Sequence, residues 1–137
     1  MISVQLRKYQ GGTEIVEVAL VIPLLFFLIF GIINGGLAIF NYNTLVAATL
    51  EGARCGSVLG SKGQPDNNKA KEAVVDCVQR YAVGLNLPDG DVTANFVLDT
   101  LAVPTVVVET KFKFRPIAPL FVPSFDMRSK ASMIVFY

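Results

Sequence analysis

Few residues of this 137-residue chain could do chemistry, and the sequence holds no histidine and only two cysteines. Without imidazole the chain alone cannot build a Ser-His-Asp triad, a Cys-His pair or a His-bearing metal site. Cys55 and Cys77 could form a disulfide in an oxidising compartment, worth about 2–4 kcal/mol in a chain-entropy picture, or could be two small buried apolar side chains. Asp89 and Asp91 flank Gly90 in a turn after Pro88. They could seed a calcium loop, but the EF-hand spacing is missing, so no metal and no cofactor is expected. Glu17 is the remaining residue of note, a carboxylate at the edge of a long apolar run. An acid there is costly, and more so toward the bilayer centre.

That run is the dominant element. Val18 to Leu50 contains no Asp, Glu, Lys or Arg, and the whole chain is 53% hydrophobic with a mean hydropathy of +0.53. A hydrocarbon span takes roughly 20 apolar residues, and Val18 to Phe40 supplies that length. Residues 15–40, apolar on all faces, would reach roughly 39 Å as a helix, enough to cross a bilayer with tilt. Pro23 lies inside and is expected to kink the helix. Gly31, Gly35 and Gly36 lie near one face and would permit close approach of another helix. From Asn41 the residues become mixed, and the helix is expected to leave the membrane and continue to about Val58, with Val46, Leu50 and Ala53 as the stripe carrying a head.

Arg7 and Lys8 are the charges of the leader, so by the positive-inside rule the N-terminus stays in the cytoplasm and the head lies outside. A formal charge of +1 without a basic block argues against nucleic acid. A secretory signal peptide is the weaker reading, because the apolar pattern continues past Gly31 and Gly36 through Leu37, Ile39 and Phe40.

The head has the periodicities of an α+β unit: a second amphipathic helix and a three-stranded antiparallel sheet. Gly60 to Asn68 reads as a loop. Ala70, Ala73, Val74, Cys77, Val78 and Tyr81 then form a helical stripe ending near Gly84. Strands are expected at Val92–Leu98, Thr105–Phe114 and Arg128–Phe136. In the second, Val106, Val108, Phe112 and Phe114 alternate with Val107, Glu109, Lys111 and Lys113. The proline-rich apolar segment from Pro116 to Phe125 is barred from the sheet by its prolines. It would be either a partner- or membrane-touching patch or a lid on the core.

Gly11-Gly12-Thr13-Glu14-Ile15-Val16-Glu17 resembles the prepilin-peptidase site of type IV pilin-like proteins. With the Pro23-Leu24-Leu25 run, Phe30-Gly31-Ile32 and Glu51-Gly52-Ala53-Arg54, it resembles the TadE-like pseudopilin family of tight-adherence (Tad/Flp) pilus systems. The resemblance implies cleavage after Gly12, which moves the formal charge from +1 to −1 as Arg7 and Lys8 leave. It divides the chain into a leader (1–12), a hydrophobic helix (13–58) and an extracytoplasmic head (59–137). It also implies that the Glu17 carboxylate pairs with the new amine at Thr13, on its own or a neighbouring chain. Glu17, Pro23, Gly31 and Gly35 become assembly residues, and Gly12 and Thr13 processing residues. The bland reading is a Thr13 cap with Glu14 and Glu17 favoured by the helix dipole.

The implied partners are a prepilin peptidase, other pilin or pseudopilin subunits, and membrane lipid before assembly. The place is the cytoplasmic membrane, then a cell-surface pilus. The implied function is a minor structural subunit and not an enzyme. The alternatives are a major filament-forming pilin and a signal-anchored extracytoplasmic protein that keeps its leader. An enzyme of that last kind would have to work with carboxylates, lysines, Tyr and Cys alone.

Overall fold

The computed structural model describes residues 11–61, 67–98, 103–117 and 123–135. Most of the leader, residues 62–66 of the expected loop, residues 118–122 of the proline-rich stretch and the expected strand end at Phe136 lie outside the described residues. Among the described residues the order is helix α1 (Gly11–Ser61), helix α2 (Asn67–Tyr81), a 3-10 turn (Asp89–Asp91), and strands β1 (Val92–Leu98), β2 (Pro104–Phe114) and β3 (Phe125–Ile134). The strands form an antiparallel meander in the order β1-β2-β3. The fold is α+β, with a long N-terminal apolar helix, a second helix and a three-stranded sheet.

Helix α1 is continuous through Pro23, which removes one amide donor without ending the helix. Its lower part exposes apolar side chains on every side, from Ile15 through Ile29. Its upper part buries one face beneath the head. That face agrees with the expected stripe at Ala53, which is fully buried, but Val46 is only half-buried and Leu50 is 45% exposed, and Leu45, Ala48 and Thr49 are the fully buried positions instead. Small residues decide the choice. A Cβ on Gly52 would run into Val78 of α2, one on Gly56 would lie 2.7 Å from Val106 of β2, and one on Gly60 would lie 2.8 Å from Val135. These glycines recur every fourth residue along one side of the helix, and only backbone fits there.

Strand β2 follows its alternation, with Val106, Val108 and Phe114 buried against the helices. Thr110 lies on the same inner face and is also fully buried. Its hydroxyl is 2.7 Å from that of Thr49, whose own proton goes to the Leu45 carbonyl at 2.6 Å. Thr110 is therefore the donor and Thr49 the acceptor. Because an orphaned buried hydroxyl costs about 1–3 kcal/mol while removal of the donor leaves the shape intact, the two valine variants should differ. Thr49→Val is expected to destabilise the head by about 1–3 kcal/mol and Thr110→Val by clearly less. Thermal melts showing equal losses would contradict this donor assignment.

Strand β3 begins at Phe125, three residues before the expected Arg128, because extension becomes possible once Pro123 is passed and the Phe125 ring packs on Phe114 at 5.2 Å. Helix α2 buries Ala70, Val74 and Val78, but Tyr81 is 52% exposed at the last residue of the helix. Gly84, at φ +82°, turns the chain after it. Gln79 then ties α2 to the next turn by donating to the Leu87 carbonyl and to the Asp89 carboxylate.

Candidate functional site

The residues singled out for processing and assembly all lie on α1. Gly12 and Thr13 are within the helix, which extends back to Gly11, so Thr13 is not its cap in the intact chain. Glu14 belongs to the first turn, and Glu17, also exposed, follows one turn after Thr13. The four-residue spacing puts Thr13 and Glu17 on the same side of the helix, separated by about 6 Å of rise. Pro23 lies farther along the apolar rod. Gly31, Gly35 and Gly36 have nothing within 4 Å of where a Cβ would stand. They contrast with Gly52, Gly56 and Gly60 on the same helix, each of which is in contact with the head.

Glu51 and Arg54 form an ion pair at 2.6 Å across one turn, while Gly52 and Ala53 between them are buried. The Glu-Gly-Ala-Arg sequence thus has two sides. Its small pair admits the head, and its charged pair ends the uncharged run with mutual neutralisation. The next residue, Cys55, is disulfide-bonded to Cys77, joining α1 to α2. The bond borders a groove of about 530 Å³ between the two helices, lined also by Arg54, Asp76, Arg80 and Tyr81. Asp76 and Arg80 pair with each other at 2.6 Å.

Asn34 was not anticipated from the sequence. It is 2% exposed within the apolar run, and its Oδ1 accepts the backbone N–H of Ile117 at 3.0 Å. Its Nδ2 finds no hydrogen-bond partner among the described residues. The segment after β2 therefore reaches back along α1 past the point where the helix first turns polar. A lone amide among apolar residues is the sequence signal that could have found it, because a polar group at membrane depth is retained where it has a partner.

The outer face of the sheet is basic. Glu109 pairs with Lys130 at 2.8 Å, and the hydrogen bond and charge of Lys130 hold its carboxyl below the usual glutamate range. Lys111 stands opposite Arg128, an unfavourable like-charge cross-strand pair, and neither makes an ion pair among the described residues. Among the described residues no group of three or more His, Cys, Asp or Glu could hold a metal ion, and the Asp89 side chain is taken by Gln79.

Compared with known proteins, residues 12–54 match the family of TadE-like proteins. The match begins at Gly12, one residue before Thr13, and ends at Arg54 of the Glu51 pair. It associates the chain with Tad pilus systems, and the long apolar helix is consistent with membrane anchoring. No curated protein and no solved structure matches the chain.

Proposed function

We propose that the chain is a minor pilin or pseudopilin of a Tad/Flp-type pilus, cut by a prepilin peptidase after Gly12 and assembled through α1. The observation that carries this reading is the family match over residues 12–54, which takes in the cleavage motif, Glu17, the apolar rod and the Glu51–Arg54 turn. A folded head on the upper half of the helix favours a minor role over that of a major pilin, a subunit that can be little more than a helix.

The mechanism follows from the placement of charge. Cleavage removes Arg7 and Lys8 and creates an α-amine at Thr13, with an ordinary pKa of about 7.7–8.0, so it is largely protonated at neutral pH. Glu17 offers that cation a carboxylate one turn away, or offers it to the amine of a neighbouring subunit. Pairing offsets the cost of keeping either charge at the edge of an apolar layer. The lower rod exposes apolar side chains all round, so it is suited to lipid before assembly and to neighbouring helices afterwards. Gly31 and Gly35 allow backbones to approach closely.

The test is the N-terminus of the chain isolated from its own host, read by mass spectrometry. The expected first residue is Thr13, and deletion of the host's prepilin peptidase should restore the longer form. A native N-terminus at Met1 would refute the processing step.

A further inference from the structure

Strand β2 runs antiparallel to α1, and two contacts fix their alignment. Asn34 meets Ile117, and Thr49 meets Thr110. From Asn34 to Thr49 the helix rises about 22 Å. The chain from Ile117 back to Thr110, strand only from Phe114 onward, spans at most about 23 Å. The two lengths are compatible, so a level on the helix can be read across approximately to the strand.

The bilayer boundary can also be read from the helix. A hydrocarbon layer of about 30 Å starting at Val18, just after Glu17, ends about 20 residues later near Leu37. The charge-free apolar residues continue to Phe40, and Asn41 and the half-exposed Tyr42 follow. Asn34 is therefore about 4–9 Å inside the hydrocarbon on the head's side, and Ile117 is level with it. Ile117 is 68% exposed, and the sequence from it to Pro123 is uncharged. Arg115 and Lys113 come about 7 and 13 Å above Ile117, bracketing the level of Phe40 and Asn41. Lys111 and Arg128, the like-charge cross-strand pair, lie about 20 Å above Ile117, beyond the headgroup layer, and add only longer-range attraction. Asp126, opposite Lys113, leaves this stretch net basic.

We propose that the base of the head is seated in the head-side leaflet of the bilayer, with Ile117 among acyl chains and Lys113 and Arg115 on anionic phospholipid headgroups. The head is then a second membrane contact beside the spanning helix. Apolar surface below a row of bases is the arrangement that binds an anionic bilayer surface. The inference rests on α1 crossing a bilayer and is independent of whether the chain enters a pilus.

The chain contains no tryptophan, so single tryptophans report depth in the full-length protein. Leu28→Trp, Ile117→Trp and Val97→Trp place the reporter in the rod, at the base of the head and about 40 Å above that base. All three sites are exposed, so the substitutions are tolerated. In vesicles of phosphatidylcholine and phosphatidylglycerol carrying bromine on the acyl chains, positions 28 and 117 should be quenched and 97 should not. Position 117 behaving like 97, with 28 quenched, overturns the inference while the spanning helix stands. No quenching at 28 overturns both.

Headgroup preference is read by energy transfer from the tryptophan at 117 to dansyl-labelled phosphatidylglycerol or phosphatidylcholine. Transfer to the anionic lipid should be about twofold greater or more, falling to parity when Lys113→Ala and Arg115→Ala are added. Parity before those substitutions overturns the anionic contact.

Discussion

Gly52→Val is expected to lower the melting temperature of the head by roughly 10 °C or more, because the space a side chain would need is already filled by Val78. Overpacking a close-packed site costs about 1–3 kcal/mol and sometimes more. Helix propensity returns only a few tenths of a kcal/mol when glycine becomes valine. A head of this size has little surplus to absorb the difference. Gly35→Ala, on the same helix with open space around it, is the contrast. It should leave the isolated chain unchanged or about 1 kcal/mol more stable, since alanine is the better helix former. Circular dichroism melts in detergent, with Val78→Ala added to Gly52→Val as partial relief, check both. Equal effects at 35 and 52 would mean that the packing described here does not govern stability.

Glu17→Ala should leave cleavage at Thr13 intact and reduce the amount of this chain recovered with sheared pili at least about tenfold. An amine left without its carboxylate in apolar surroundings costs about 3–5 kcal/mol, and about 1.4 kcal/mol already corresponds to tenfold. Glu17→Gln separates charge from shape. It keeps the length of the side chain and should fail nearly as badly as alanine if an ion pair sets the register. If Glu17 serves only the helix dipole, the effect is about 0.3–1 kcal/mol of helix stability and recovery with pili barely changes. Immunoblots of the sheared fraction against the cell fraction distinguish these outcomes, and unchanged recovery for both variants would remove Glu17 from assembly.

The legibility of this chain varied with the kind of signal each segment carries. Strand β2 alternates so regularly that its buried face could be read directly, apart from Thr110, whose polarity hid it until Thr49 was seen opposite. Helix α2 has one apolar side, and its stripe was readable except at Tyr81, which ends the helix and points into solvent. Helix α1 defeats this approach. Apolar residues surround it, so periodicity could not single out the side that carries the head, and the expected Leu50 is exposed. The information was in size: Gly52, Gly56 and Gly60 mark the buried side by what they lack. Within the candidate site, the Gly12-to-Glu17 motif and the Glu51-to-Arg54 turn were visible as sequence. The Asn34–Ile117 contact joins residues far apart in the chain and no local pattern encodes it.

The head is fastened to α1 at two heights, by the Cys55–Cys77 bond above and the Asn34–Ile117 hydrogen bond below. These points are about 32 Å apart along the helix. Tension applied along the rod would therefore load the buried contact between them, from Leu45 to Ala53, in shear, with its contacts strained together, and could not peel it open from one end one contact at a time. Resistance to such a pull depends on the rate of unfolding rather than on equilibrium stability. A subunit drawn out of a bilayer by its helix would carry its head along as a single mechanical piece.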